Sequence, residues 1–141
     1  MDQFFYSTKI NDESIILPED EALHAIKVLR KKKGDQIKVV DGVGNLYDAS
    51  IDSEKIHDCC LSILSVDKDY GRRNYYIHIG IAPPKSHDKV EWFIEKAVEI
   101  GVQEISFILT EHSERNNVKL SRINRCSVSA MKQSLKAHLP Y

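Results

Sequence analysis

The sequence has 141 residues, of which 42% are hydrophobic and 29% charged, and its formal net charge is −1. This length fits one or two small domains and excludes a large multidomain enzyme. The composition is typical of a globular protein, and no apolar run approaches the roughly 20 residues that a membrane helix needs. The acidic, interrupted stretch over residues 1–17 is not typical of a secretory signal peptide.

The first 66 residues are predicted to combine one helix with several short strands. Strands are predicted at residues 4–9, 36–40, 46–51 and 59–66. The helix opens at Pro18 with acidic residues in its first turn, and it is predicted to run to a cationic end that Gly34 stops. A turn over residues 41–45 joins the second and third strands into a hairpin. This mixture favours a small β-barrel over a sandwich.

Residues 67–74 are polar, contain a glycine, and are predicted to form a linker. The pattern then changes to a dense apolar strand over 75–82, of the kind buried on both faces. A helix from Asp88 to Gly101, a second buried strand over 105–110 and a second helix over 120–135 follow. This order predicts a parallel sheet with right-handed crossovers, and domains at residues 1–70 and 75–141.

Ligands of open parallel sheets bind beyond the carboxyl ends of the strands, and two polar loops leave such ends here. Residues 83–88 contain Lys85 behind two prolines, and residues 110–115 contain Glu111, His112 and Arg115. Ordinary solvated connections are an equally good interpretation of both loops. The sequence has no glycine-rich phosphate loop and no metal-ligand spacing, so neither a dinucleotide site nor a metal is predicted.

Cationic side chains are concentrated in two places. One is Arg30, Lys31, Lys32 and Lys33; the other is the segment after Glu114, which contains Arg122 and Arg125 and no further acid. Unbalanced cations attract phosphates, which indicates nucleic acid as a partner. The alternative is a solvated helix face whose acidic partners lie elsewhere in the fold. The three cysteines, an odd number with no zinc spacing, indicate reduced packing residues in a cytoplasmic protein.

The ordered motifs resemble those of the ribosomal RNA small subunit methyltransferase E family. The resemblance lies in residues 24–30, Gly34-Asp35, 41–44 and Tyr47, then in Pro84-Lys85, 96–102 and 110–113, and finally in Gln133-Ser134 and Leu139-Pro140. Each motif alone is weak, but together they span nearly the whole chain in the family's order. The sequence departs from the family pattern at His112, Lys132, Lys136 and His138.

The resemblance implies an α+β protein, with a PUA-like β-barrel followed by the first part of a SPOUT α/β-knot methyltransferase domain. It implies methyl transfer from S-adenosylmethionine to ring nitrogen 3 of a uridine in 16S rRNA, by a cytoplasmic homodimer. The implied catalytic candidates are Lys85, Glu111 and Arg115, and the implied RNA contacts are Arg30, Lys31, Lys32, Lys33, Arg122 and Arg125. The family's glycine-rich cofactor loop would follow Tyr141, so no cofactor-binding residue is expected here and this chain alone is expected to be inactive.

Two other interpretations stay open. The chain could act as a non-catalytic RNA-binding module, which would bind rRNA with a strong salt dependence. It could also be a structural adaptor that binds no nucleic acid. Charge reversal at Lys31, Lys32 and Lys33 separates these two, because only an RNA-binding module would respond to it.

Overall fold

A computed structural model describes residues 3–108 and 119–140, and one helix among six strands precedes a strand–helix–strand–helix segment. The first segment contains β1 (Phe4–Tyr6), β2 (Lys9–Ile10), β3 (Ser14–Leu17), α1 (Glu19–Leu23), β4 (Gln36–Val40), β5 (Leu46–Ile51) and β6 (Cys59–Asp67). The second contains β7 (His78–Ile81), α2 (His87–Ile100), β8 (Glu104–Phe107) and α3 (Leu120–Gln133). We call β1–β6 the curled sheet and β7–α3 the β/α unit.

The curled sheet has the strand order β1-β4-β5-β6-β3-β2, so β1 and β2 form its two edges. If the sheet were flat, five strand spacings would separate these edges by about 24 Å. Only Ser7 and Thr8 join β1 to β2, and such a connection spans about 10 Å at most. The sheet must therefore curl until its edges meet, which confirms the prediction of a small barrel-like fold.

Ser7 fastens the two edges at this corner. Its backbone N–H donates to the carbonyl of Val40 in β4 at 3.2 Å. Its hydroxyl donates to the carbonyl of Ile16 in β3 at 2.6 Å and accepts from the N–H of Lys9 at 3.2 Å. Ser7 has no exposed surface, so its hydroxyl cannot bond to water. The bonds to Ile16 and Lys9 replace the hydrogen bonds to water that the hydroxyl loses on burial.

Helix α1 passes into a π-helical turn instead of continuing to the cationic run. The turn covers His24–Val28, and the N–H of Leu29 donates to the carbonyl of His24 at 2.9 Å. Arg30 then adopts a left-handed backbone with φ of 56°. The prediction that the helix extends through the cations to Gly34 is wrong, because this wider turn ends the helix and turns the chain toward β4.

The core of the curled sheet is formed by side chains from its strands and from the helical segment. The fully buried members include Phe5, Ile15, Leu17, Ala22, Ala25, Val39, Ala49, Ile51, Cys59 and Leu61. Cys59 is buried and Cys60 only partly so, as expected for successive residues of a strand. Cys59, Cys60 and Cys126 are free thiols in the structure.

In the β/α unit, β7 and β8 pair in parallel, with His78 opposite Glu104 and Ile81 opposite Phe107. This confirms the predicted parallel pairing. Helix α2 ends at Gly101, whose φ of 96° would strain any other residue and whose N–H donates to the carbonyls of Ala97 and Val98. Within the part of the chain that the structure describes, no helix is long and apolar enough to span a membrane.

The prediction of a strand over 75–82 buried on both faces is wrong. Strand β7 has four residues, and His78 and Gly80 are exposed while Ile79 and Ile81 are partly buried. Tyr76 is 60% exposed. The N–H of Ile77 donates to the side chain of Gln103, not to a neighbouring strand. Among the described residues β7 pairs only with β8, so the sheet lacks the flanking strands that an apolar run of this density predicts.

The curled sheet and the β/α unit share a hydrophobic core. Its members are Phe4, Val40 and Leu46 from the curled sheet, and Val90, Ile94, Val98, Ala130, Met131 and Ala137 from α2, α3 and the following loop. Residues 67–74 are not a plain linker, because β6 includes Asp67 and Tyr70 stacks edge-on against Phe4 at 6.1 Å. Folding therefore fixes the two segments against each other.

Candidate functional site

The four predicted RNA-binding cations lie together in one turn, which we call the cationic turn (Arg30, Lys31, Lys32, Lys33). Arg30, Lys32 and Lys33 are exposed, and Lys31 is partly so. Within residues 3–108 and 119–140, none of the four forms an ion pair. The turn therefore presents uncompensated positive charge that phosphates can neutralise.

The backbone of the cationic turn is anchored at both ends. The N–H of Lys31 donates to the carbonyl of Ala25 at 2.9 Å, which ties the turn to the helical segment. The carboxylate of Asp35 accepts from the N–H of Lys32 at 2.8 Å. The N–H of Gly34 donates to the carbonyl of Ile51 at the end of β5, also at 2.8 Å. The cations therefore project from a fixed backbone, which reduces the entropy lost on binding.

The two predicted cations on α3 have different surroundings. Arg122 donates to both carboxylate oxygens of Glu91 on α2, at 2.6 and 3.1 Å, and also lies 3.9 Å from Asp88. The guanidinium of Arg122 holds the pKa of the Glu91 carboxyl below its usual range. Arg125 is exposed. Absence of acids after Glu114 therefore does not mean that Arg122 is unpaired, because its partner lies on the preceding helix.

Lys132 provides a second ion pair that the sequence did not reveal. Its ammonium donates to the Glu21 carboxylate at 2.8 Å, across the junction between α3 and α1. Glu21 is 4% exposed, so this pair is largely removed from water. Arg122 and Lys132 therefore connect α3 to its neighbours, whereas the cationic turn is directed outward.

The two loops predicted to carry catalytic residues start side by side. Ile81 at the end of β7 lies opposite Phe107 at the end of β8, and the N–H of Ile108 donates to the carbonyl of Ile81 at 2.8 Å. In the first loop Lys85 is exposed and Pro83 is buried. Glu111 and Arg115, together with His112, lie outside the described residues, so their assignment stays a prediction.

No metal site is evident in the described ranges, 3–108 and 119–140, and two of the cysteines are shielded thiols. No three His, Cys, Asp or Glu side chains converge there. Burial, followed by the charge of Cys60, raises the pKa of the Cys59 thiol. Burial, followed by the charges of Glu91 and Glu95, raises the pKa of the Cys126 thiol. Both groups stay protonated near neutral pH and are poor nucleophiles.

Asp41 has a structural role in the hairpin turn. Its carboxylate accepts hydrogen bonds from the N–H groups of Val43 and Asn45, at 2.9 and 3.1 Å, and from the Asn45 side chain at 2.8 Å. Burial and the Asp41 charge together raise the pKa of Tyr47. These bonds fix the Asp-Gly turn, so the motif that carries the family resemblance here shapes the backbone.

A cleft of about 610 Å³ lies between the curled sheet and the β/α unit, which we call the inter-segment cleft. Its walls include residues 69–73, 75–76 and 101–103, which precede β7 and β8, and the loop after α3 at 134–139. It therefore lies at the amino ends of these strands, opposite the predicted catalytic loops. The sequence did not predict this cleft. Arg72 and Arg73, which line it, were assigned to a linker.

The chain matches two domain families in the order of its two segments. Residues 17–57 match the RNA methyltransferase PUA domain, and residues 72–141 match the RNA methyltransferase domain. The first match falls within the curled sheet, which is therefore PUA-like, and the second includes the whole β/α unit. Both matches agree with the resemblance seen in the sequence motifs.

Solved structures of RNA methyltransferases have the same fold. A probable rRNA methyltransferase from Porphyromonas gingivalis is 42% identical with a TM-score of 0.91, over 98% of this chain and 58% of that one. A predicted RNA methyltransferase from Thermotoga maritima is 29% identical with a TM-score of 0.84, over 98% and 63%.

A ribosomal RNA small subunit methyltransferase E from Neisseria gonorrhoeae, bound to S-adenosylmethionine, is 24% identical with a TM-score of 0.84, over 99% of this chain and 60% of that one. This likeness shows a common fold. The chain thus spans 58–63% of the length of these three proteins. Because the RNA methyltransferase PUA domain and the RNA methyltransferase domain match successive parts of it, the chain belongs to the RNA methyltransferase family.

Proposed function

We propose that this protein transfers a methyl group from S-adenosylmethionine to ring nitrogen 3 of a uridine in 16S rRNA of the small ribosomal subunit. The observation that carries the proposal is the pair of domain matches together with 42% identity to a probable rRNA methyltransferase. The fold shared with a ribosomal RNA small subunit methyltransferase E supports the choice of subunit. The proposal concerns the whole protein, because this chain spans only about 60% of the length of that relative.

The reaction sets three tasks for the protein. The uridine must leave its stack so that the ring nitrogen becomes accessible. That nitrogen must lose its proton, and it must then lie in line with the methyl group. We assign RNA binding to the cationic turn and to the exposed Arg125, because their charges are available to phosphates. Arg122 also stays in the proposed RNA-binding set, and a phosphate there would compete with Glu91.

We assign the chemical step to the loops that follow β7 and β8. Lys85 is exposed in the loop that follows β7, and its positive charge suits a substrate phosphate or a developing negative charge on the base. Glu111 and Arg115 complete the proposed set, and their placement follows from the family resemblance alone. Because Ile81 and Phe107 are paired at the ends of these strands, the two loops start at the same edge of the sheet.

S-Adenosylmethionine supplies the methyl group, and the Neisseria gonorrhoeae relative was solved with it bound. The loop between β7 and α2 contains no glycine, so it is not the glycine-rich cofactor loop that the family resemblance implies. We therefore assign no cofactor contact to the described residues. We propose that the cofactor binds in a knotted SPOUT fold of a cytoplasmic homodimer, in segments that the relatives possess beyond their match to this chain.

The test is transfer of labelled methyl groups to small ribosomal subunits isolated from cells that lack 3-methyluridine. Two proteins are compared: this chain, and a chimera in which the unmatched part of the Porphyromonas gingivalis relative follows Tyr141. We expect the chimera to methylate one uridine at nitrogen 3, located by mass spectrometry of RNA fragments. We expect this chain alone to give no measurable transfer and no calorimetric signal with S-adenosylmethionine.

Three results would contradict parts of the proposal. Methylation of another atom or of another RNA by the chimera would overturn the substrate assignment. An inactive chimera that nevertheless binds S-adenosylmethionine and small-subunit RNA would support a non-catalytic RNA-binding module instead. Methyl transfer by this chain alone would overturn our placement of the cofactor site. The intact relative, assayed in parallel, is the positive control.

A further inference from the structure

The inter-segment cleft concentrates cations that the proposed catalytic chemistry does not use. Arg72 and Arg73 come from the segment after β6, and Lys136 comes from the loop after α3. Among the residues that the structure describes, none of these three forms an ion pair. Asp69 is the acidic residue in the wall, so the cleft is positively charged overall.

Lys136 is held close to a like charge. Burial, followed by repulsion from Arg73, lowers its pKa, and the Glu99 carboxylate opposes this change only in part. Glu99 is itself in an ion pair with Lys96 at 3.4 Å. The two cations repel each other, and an anion bound between them would offset that repulsion.

Arg73 is fixed in position before any ligand arrives. Its guanidinium lies 5.6 Å from the centre of the Tyr75 ring and donates to the Tyr75 hydroxyl. On the other side it packs against Gly101, where an added Cβ would lie 3.1 Å from the Arg73 Nε. The αL backbone of Gly101 and this close approach both exclude a larger residue there. A preordered guanidinium loses little entropy on binding a phosphate.

An aromatic ring accompanies these charges. Tyr76 lines the same cleft, is 60% exposed, and its hydroxyl donates to Glu104 at 2.8 Å. That hydrogen bond restrains the ring while much of its surface stays accessible. Cations together with an accessible aromatic ring are the pattern that binds single-stranded nucleic acid, with phosphates on the cations and a base on the ring.

We propose that the inter-segment cleft binds the phosphodiester backbone of one RNA strand, with Arg73 and Lys136 on phosphates and a base stacked on Tyr76. The proposal rests on the proposed function, in that RNA is the substrate, and adds a second site of contact. This site lies at the amino ends of β7 and β8, away from the loops where methyl transfer is proposed. It would hold RNA that flanks the target nucleotide.

The test measures the fluorescence anisotropy of a labelled 12-nucleotide oligouridylate mixed with this chain, without S-adenosylmethionine, between 50 and 200 mM salt. The test variant combines Arg73→Gln with Lys136→Gln, and the matched control is Lys55→Gln, an exposed cation in the loop between β5 and β6. We expect the double variant to bind at least tenfold more weakly. The slope of log affinity against log salt should fall by about 1.4, since each phosphate contact on a single strand contributes about 0.7. The control should match the unmodified protein.

A second pair of variants tests the stacking contact. Tyr76→Ala should weaken oligouridylate binding about tenfold, within the range for loss of one stacked base. Tyr76→Phe keeps the ring and loses the hydrogen bond to Glu104, so it should bind as the unmodified protein does. Equal binding by both variants would remove stacking from the proposal.

The proposal is overturned if the double variant and the Lys55→Gln control bind equally well. It is also overturned if millimolar inorganic phosphate or uridine monophosphate displaces the oligonucleotide completely, because the cleft would then bind a free anion. Circular dichroism checks that the double variant is folded; if it is not, Arg72→Gln with Lys136→Gln replaces it. The binding assay contains no methyl donor and is therefore independent of methyl transfer. If the chimera fails to methylate RNA while this chain binds oligouridylate as expected, only the proposed function is contradicted.

Discussion

The curled sheet and the β/α unit bury their apolar side chains in different ways. Each central strand of the curled sheet has neighbours on both sides, and its inner side chains form a core of their own. Strands β7 and β8 have only each other among the described residues, and their side chains are exposed or partly buried. Helices α2 and α3 instead bury their apolar faces together with Phe4, Val40 and Leu46. The β/α unit therefore depends on the curled sheet for its stability.

The most direct test of this dependence is Met131→Ala. Met131 is fully buried in the shared core, so truncation should lower the free energy of unfolding by about 2–5 kcal/mol. Urea unfolding would be followed by Trp92 fluorescence for the β/α unit and by labelling of Cys59 for the curled sheet, with Cys60 and Cys126 replaced by serine. Both probes should shift together. A shift of the Trp92 transition alone would show that the two segments unfold separately.

The ion pair across the junction should give the next largest effect. Lys132→Met leaves the carboxylate of Glu21 nearly buried without its partner, which should cost about 2 kcal/mol after allowance for the partial exposure of Lys132. Glu21→Gln in the same chain should recover part of that loss, because the unpaired charge is then gone. Urea unfolding of the two single variants and the double variant gives the coupling free energy between Lys132 and Glu21. Strictly additive losses would argue against the pair as a contact between the segments.

Closure of the curled sheet can be tested separately through Ser7→Ala. The change removes the hydroxyl that bonds to Ile16 and Lys9, and should cost about 1–2 kcal/mol because a partly buried carbonyl and N–H lose a partner. Ser65→Ala, which removes an exposed hydroxyl bonded to Asp48, is the control and should cost less than about 0.5 kcal/mol. Similar thermal stability of the two variants would contradict the role assigned to Ser7.

The smallest effect is expected at the contact between α2 and α3, and it depends on pH. The pKa of Glu91 in the folded protein lies below its unfolded value, so its contribution is present above about pH 4.3 and is lost as the pH falls through the lowered pKa. The melting temperature of the unmodified protein should therefore exceed that of Glu91→Gln at pH 6, and the difference should shrink toward pH 3. A constant difference would show that the Glu91 charge is not responsible.

The sequence predicted local patterns better than distant pairings. Strands β4 and β5 were predicted with their observed bounds, because alternation and the Asp-Gly turn are contained in 16 consecutive residues. Strand β3 was missed, since its four residues take their register from β6, far along the chain. The strand predicted over 75–82 is longer and more buried than the observed β7. A dense apolar run implies neighbouring strands on both sides, and the described residues supply only β8.

Charged residues show the same limit. Arg122 was interpreted as unbalanced, yet its partner Glu91 lies 31 positions away, and Glu21 lies 111 positions from Lys132. No local pattern reveals such pairs. The cationic turn was found because its four members are consecutive, whereas the inter-segment cleft joins Arg73 to Lys136 from distant parts of the chain. The catalytic assignments of Lys85, Glu111 and Arg115 stay predictions.

The shared core also limits how this protein can exchange parts with its relatives during evolution. A recombination event near residues 67–74 would keep each segment intact and still replace one side of the shared core, to which Val40 and Met131 contribute from opposite sides of the junction. Unless the incoming side chains matched in volume, the hybrid would carry a cavity or a clash at its junction. Substitutions at these positions should therefore be inherited as compatible sets across the junction, even though the positions lie far apart in the gene.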